Sequence, residues 1–461
     1  MADFGGRYQY LERDGRPLQE GACRVQFDAQ TLTLTPESGA PLTCDLGDLD
    51  SVIAAEWEIR LALFTGRSIV LRQFAKAYDK LAQGLLEAYR ERAIRCLLLE
   101  DMTEVARFTG QFELAAHGEA TRFGPAEFRI YKSNLAVLAS ASLPFQWRLA
   151  DIDAGRFDAA NYVVVLESVN GQLKVSRLAK RTEEFVRCVG DTMNAVAAAG
   201  AQTLHAAFPF LDPDQLQSIA ALLREGRPAP VGTLAKIDAR IPAALAANAV
   251  DRDLRPYYEW LLARTAGTLL YAGFKLIRPE DDTSVRPAIA GDAAPDSAGE
   301  DGNAAASLPD DTAGGATDAD AAGPQALYWF FFPLAQRGAA GAANAVAWEA
   351  NASGGRATYF FRLTGPAQAS TSKDPASAAL AVDAAVRRLN RGLALLNFRR
   401  RPIYLSDDEL AMDPRYYRYA IAARRIPELR ELRANFLGRA IHSSPDSWQA
   451  QVESILEKAG Q

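Results

Sequence analysis

Six arginines crowd into fifteen residues near the end of the chain: Arg387, Arg388 and Arg391, then Arg399, Arg400 and Arg401. Arg415-Tyr416-Tyr417-Arg418-Tyr419 and Arg424-Arg425 follow. A planar guanidinium grips phosphate or carboxylate with two parallel donors and stacks on aromatic rings, so this pattern suits an anion site. Arg387, Arg388, Arg391, Arg399, Arg400, Arg401, Arg415 and Arg418 are therefore the anion-binding candidates. The competing expectation is a solvated face neutralised by Asp407, Asp408 and Glu409, or by an acidic stretch elsewhere.

Other chemistry-bearing residues are sparse. There are three histidines, His117, His205 and His442. His442-Ser443-Ser444 puts a base beside a nucleophile in sequence, but a triad is made by convergence in space, and Ser444 has a structural role available as a helix cap. Four cysteines (Cys23, Cys44, Cys96, Cys188) stand too far apart for a zinc or redox pair, so buried thiols in a reducing compartment are expected, with a Cys23–Cys44 disulfide as the alternative. Asp48/Asp50 and Asp151/Asp153 recur as pairs where Asp commonly organises turns. No glycine-rich phosphate loop appears, and Gly354-Gly355 reads as a hairpin turn. No catalytic residue, metal ligand or cofactor is expected.

The net charge of −6 is unevenly spread. Residues 280–323 hold eleven acidic residues against Arg286 alone, which leaves the rest of the chain at +4. This stretch of Ala, Gly, Asp, Pro and Ser has too little apolar surface to offset its ordering entropy, and the insert 279–326 is expected to be disordered. No secretory start is visible, and the longest apolar run, around Tyr328 to Pro333, falls far short of the roughly 20 residues of a membrane span. A cytoplasmic protein without an integral membrane segment is expected.

What would position the candidates is clearest in the first 200 residues, which repeat. At an offset of 103, Pro41, Leu46, Asp48 and Asp50 meet Pro144, Leu149, Asp151 and Asp153. At 105, Trp57, Ile59, Leu61 and Gly66 meet Tyr162, Val164, Leu166 and Gly171; at 104, Phe74-Ala75-Lys76 meets Leu178-Ala179-Lys180. In the second copy, Glu127–Tyr131, Leu135–Ala139, Pro144–Leu149, Tyr162–Glu167 and Gln172–Arg177 read as strands, with turns at Lys132-Ser133-Asn134 and Val169-Asn170-Gly171. A helix follows from Thr182, with Phe185, Val186, Val189 and Met193 on one face. Hairpins of this kind form an antiparallel sheet, and the amphipathic helix covers its apolar face.

On Asp151-Ile152-Asp153, Tyr162-to-Leu166, Asn170-Gly171, Leu173-Lys174-Val175 and the Thr182-to-Met193 helix, the module resembles a bacterial pleckstrin-homology-like (PH-like) domain. The resemblance covers residues 8–98 and 120–200. It implies a curved antiparallel β-barrel capped by a helix, a frame for binding rather than chemistry. Lipid-binding members place clustered Lys/Arg in the loop between their first two strands. That loop reads here as Asp28-Ala29-Gln30 or Lys132-Ser133-Asn134, which lacks such a cluster.

The expected fold is thus α+β. PH-like modules occupy 1–102 and 103–203, a helical segment with one strand 204–278, the insert 279–326, and an α+β region with a basic helical end 327–461. Strands on both sides of the insert, Leu269–Ile277 and Leu327–Leu334, should share one sheet, and a third PH-like unit is conceivable there. The expected function is non-enzymatic binding or scaffolding of a protein or peptide partner through sheet edges and loops. The alternative is an anionic lipid surface or nucleic acid held by the arginines. A third is an enzyme with a site between the helical part and the C-terminal sheet.

Overall fold

The computed structural model describes residues 3–116, 120–169, 171–265, 269–277, 326–335, 343–351, 357–363 and 375–459. His117, Asn170, Gly354-Gly355 and all but Ala326 of the 279–326 insert lie outside them. The chain is α+β and divides into two compact units, Met1–Ala198 with Ala384–Phe436, and Ala199–Asp383 with Leu437–Gln461.

The first unit contains two seven-stranded antiparallel sheets. Strands β1 (Asp3–Leu11), β2 (Pro17–Phe27), β3 (Thr31–Pro36), β4 (Leu42–Asp45), β5 (Leu49–Ala55), β6 (Glu58–Leu63) and β7 (Ser68–Arg72) are ordered β4-β3-β2-β1-β7-β6-β5, and α1 (Tyr78–Cys96) follows. Strands β8 (Glu104–Ala116), β9 (Arg122–Tyr131), β10 (Asn134–Ala139), β11 (Phe145–Arg148), β12 (Ile152–Asp158), β13 (Val163–Ser168) and β14 (Gly171–Ser176) repeat that order before α2 (Thr182–Ala207).

Period-two patterning selects the inner faces. In β3, Leu32 and Leu34 are fully buried, while Thr33 meets Thr43 hydroxyl to hydroxyl at 3.3 Å on the outside. Ile59 and Leu61 of β6, Ile69 and Leu71 of β7, and Leu81, Leu85 and Tyr89 of α1 join the same core. One core fed by all seven strands requires the sheet to curl around it. The second sheet does the same, with Phe185 and Val189 of α2 in its core.

The two copies share backbone irregularities as well as sequence. Each has a register shift at the same place, Leu49/Ser51 and Ile152/Ala154. Each has one 3-10 turn after its fourth strand, Leu46–Asp48 and Leu149–Asp151. Trp57 and Tyr162, Gln73 and Arg177, and Ala75 and Ala179 all take positive φ at the offsets of the sequence repeat. Non-glycine residues rarely adopt that conformation, so its threefold recurrence marks a copied fold. Gly6 and Gly110 are a further pair: a Cβ would sit 2.5 Å from the Phe74 ring at Gly6 and 2.6 Å from the Ser176 carbonyl oxygen at Gly110.

Within this unit the copies are welded together. Every residue of β10 is buried. Leu135 and Val137 face its own core, whereas Ala136 and Leu138 join Ala93, Ile94 and Leu97 at the end of α1. Beside them Arg129 donates to Glu127 (2.7 Å) and to Glu91 of α1 (2.6 Å), and Arg90 donates to Glu127 (3.3 Å).

The second unit holds a six-stranded antiparallel sheet. Its order is β15 (Ala229–Pro230), β16 (Tyr271–Leu276), β17 (Ala326–Ala335), β18 (Ala343–Asn351), β19 (Ala357–Arg362) and β20 (Phe436–Ile441). β16 pairs with β17, so the strands on both sides of the insert share one sheet, as expected. Helices pack on it through a core that includes Tyr257, Leu261, Trp448 and Val452.

The strand reading needs three corrections. β8 and β12 were absent from it, because β8 carries charged and glycine residues through its length and β12 is exposed along most of its own. For the same reason the loop between the first two strands lies elsewhere than expected. Asp28-Ala29-Gln30 and Lys132-Ser133-Asn134 join second to third strands, and the first loop of module one is Glu12–Arg16, where Arg16 pairs with Asp14 at 2.6 Å. Finally, β20 occupies a stretch expected to be helix and loop; Gly438 interrupts its pattern.

The tight approach at Gly110 sets a measurable contrast. Gly110→Ala should lower unfolding free energy by about 2 kcal/mol, since the obstacle is backbone. Gly190→Ala, in α2 with open space around it, should raise stability by up to about 1 kcal/mol. Urea midpoints that move equally for both would contradict that packing.

Candidate anion-binding cavity

A cavity of about 680 Å³ lies wholly within the first unit. Its first wall is module one: Leu46 of the 3-10 turn and Leu49 just after it, then Tyr89, Ala93 and Cys96 of α1 and Leu97 at its end. Its second is module two, with Phe145, Trp147 and Arg148 of β11, Arg122, Leu114 and Asp151. The third is the segment 384–436, through Arg387, Arg388, Arg391, Leu395, Arg425 and Glu428.

The helix Pro375–Leu395 presents its arginines by simple periodicity. Positions 387, 388 and 391 fall within about 100° of one face, so all three reach one wall. Arg388 pairs with Glu431 at 3.0 Å. Burial pulls Arg391 below an ordinary guanidinium, and the nearby Glu428 and Asp151 do not offset it.

The walls are held by ion pairs of Asp45 and of the repeated carboxylates. Asp45 caps the first 3-10 turn by accepting from Gly47 N (2.7 Å) and receives both arms of Arg92 (2.9 and 2.7 Å). Asp48 accepts from Arg424 (3.2 Å), and burial lifts Asp48 above the usual carboxylate range despite that pairing. Arg425 donates to Asp50 and to the Leu49 carbonyl (3.3 Å). In module two, Arg148 closes its own 3-10 turn on Asp151 (2.9 and 2.7 Å).

The eight candidates therefore divide. Arg387, Arg388 and Arg391 come together at the cavity. Arg399, Arg400, Arg401, Arg415 and Arg418 do not line it. Arg399 donates to the Tyr419 hydroxyl, and Arg401 lies over the Tyr416 ring at 5.8 Å. Arg400 precedes the short helix Arg401–Tyr404. Arg415 pairs with Asp413 (2.7 Å), and Arg418 with Asp101 and Glu100.

Three further arginines complete the cavity, Arg122, Arg148 and Arg425. Arg424-Arg425 stood in the sequence run. Arg122 and Arg148 gave no signal, being isolated in strands of the repeat. Among the described residues, six arginines and two carboxylates, Asp151 and Glu428, line the space.

In the second unit, the Thr358 hydroxyl donates to Glu349 (2.6 Å) and lies 2.8 Å from His442 Nε2, which is itself 3.5 Å from Glu349. A relay needs hydroxyl and carboxylate on different ring nitrogens, whereas here both approach Nε2. Ser444 accepts from Ser447 N at 3.3 Å, the capping contact its sequence implies. Among the described residues no three potential metal ligands gather, and no helix is long and apolar enough to cross a membrane.

No family model matches the chain, and no curated protein does. Among solved structures, an N-terminally truncated linker-DH/PH fragment of p115-RhoGEF is similar over 26% of this chain and 46% of that one, at 9% identity and a TM-score of 0.16. The chain thus spans under half of that fragment.

Cys96 reports on the cavity wall. Burial pushes its thiol up to about 12, so almost no thiolate exists near pH 8. Iodoacetamide at that pH should modify Cys96 at least ~100-fold more slowly in the native protein than in urea. Equal rates would place the thiol in water.

Proposed function

We propose that this chain is a non-enzymatic binding protein built on two tandem PH-like modules, 1–102 and 103–203, whose cavity receives an anionic group of a ligand. The observation that carries the reading is the cavity lining: six guanidinium groups against two carboxylates, converging from three parts of the first unit. Ligand sites of this class are concave, largely apolar, and carry a few convergent polar groups. The PH-like assignment is supported by the strand order, four strands, then three that close on the first, then a helix, realised twice. Four free thiols support a reducing, cytoplasmic location.

Titration calorimetry with inorganic pyrophosphate tests the reading. Binding should weaken as salt rises, and Arg387→Ala/Arg391→Ala should lose about 10-fold or more in affinity. Absent binding to the wild type, or an unaffected double variant, would dismiss it.

A second reading, recognition of a peptide by strand addition, is favoured at one place. β12 ends its sheet and leaves Ala154, Gly155 and Arg156 exposed. Its counterpart β5 instead has Val52 N donating to the Ser140 carbonyl of module two (2.8 Å). A captured partner should slow hydrogen exchange over residues 154–157. Unchanged exchange there with the partner bound removes this mode.

A further inference from the structure

The cavity is chemically divided by element. Module one contributes Leu46, Leu49, Tyr89, Ala93 and Leu97, and no charged side chain. The hydroxyl of Tyr89 donates its proton to the Asp50 carbonyl at 3.3 Å. Module two adds Leu114, Leu143, Phe145 and Trp147 beside Arg122 and Arg148. The guanidinium groups of the Pro375–Leu395 helix form the third side, with Leu395 and Ile426 among them.

A bare inorganic anion would use only part of this space. About 680 Å³ equals the volume of roughly 20 waters, and water against leucine, phenylalanine and tryptophan side chains lacks the polar partners it needs. An apolar body displaces that water favourably, with the gain growing per buried methylene. The guanidinium groups in turn disfavour an uncharged apolar occupant, since burial already works against the charge of Arg391.

Resting on the anion-site reading above, we propose that the ligand is a single anionic amphiphile: a phosphate or carboxylate head on the arginines and an aliphatic or aromatic body against module one and β11. Such a molecule can arrive free in solution or be drawn from a membrane, and the head-and-body chemistry is common to both sources.

Calorimetry on the full chain with inorganic phosphate, monomeric dodecyl phosphate and dodecanol tests this. Dodecyl phosphate should bind at least ~100-fold more tightly than phosphate, which about four buried methylenes suffice to produce. It should also bind more tightly than dodecanol. Ala384→Trp fills the cavity from an exposed lining position, so folding is spared. That variant should weaken dodecyl phosphate about 10-fold or more at an unaltered melting temperature, and undiminished binding would place the amphiphile outside the cavity.

Equal affinity for phosphate and dodecyl phosphate would overturn the amphiphile and leave the anion site standing. Equal affinity for dodecanol and dodecyl phosphate, or no binding of any probe, would overturn both. Cosedimentation with vesicles containing phosphatidic acid, competed by dodecyl phosphate, would support the amphiphile and assign a membrane source. Dodecyl phosphate binding without cosedimentation would support it and assign a free one.

Discussion

The ion pairs between residues 418–425 and module one are the contacts on which the cavity depends. Arg418 reaches Asp101, Arg424 reaches Asp48, and Arg425 reaches Asp50 and the Leu49 carbonyl. These residues are more than 300 positions apart in the chain, so they meet only if the segment 384–436 returns to the first unit. Partly exposed pairs are individually weak, because water screens them and long side chains lose freedom. Several together, beside the buried Ala420, Ile421 and Ala422, fix a register that no single pair could. The third wall of the cavity stands where that register puts it.

Duplication explains why the carboxylates are there to be met. Each copy ends its fourth strand in a 3-10 turn carrying an Asp, and each turn is closed by a guanidinium. The partners have diverged. Position 45 is Asp and pairs with Arg92 from α1, whereas the equivalent position 148 is Arg and pairs with Asp151 inside its own turn. One frame thus carries two charge patterns. The module-one turn is left with Asp48 and Asp50 to receive Arg424 and Arg425, and the module-two turn brings Arg148 to the cavity instead.

The second unit solves a different packing problem. β17 is apolar on both faces, with Phe330, Phe332 and Leu334 in the helix-covered core and Trp329 and Phe331 buried as well. The ionisable groups gathered there, Glu349 and His442, are enclosed with Thr358, and the His442 ring stacks on Tyr257 at 4.4 Å. That enclosure gives the Glu349 Oε2 a hydroxyl partner inside an apolar layer, as buried polar atoms require.

Local patterns are legible in a chain because they depend on neighbours a few residues away. The alternation of Leu32 and Leu34, the stripe of Phe185 and Val189, the cap at Ser444 and the residue matches between the modules all belong to this kind. So does the presence of an arginine run, since three of its members share a helical face by periodicity alone. Strands without alternation, such as β8 and β12, were not legible, because their place in a sheet is set by hydrogen bonds to distant strands. Nor was the division of the arginines. Whether a guanidinium lines a cavity, as Arg391 does, or closes on a carboxylate 317 residues away, as Arg418 does on Asp101, depends on long-range contact. Composition and periodicity determined the charges and the frames. Only the folded chain, by bringing residues 384–436 back against the modules, decided which charges face a ligand, because electrostatic partners are chosen by distance in space.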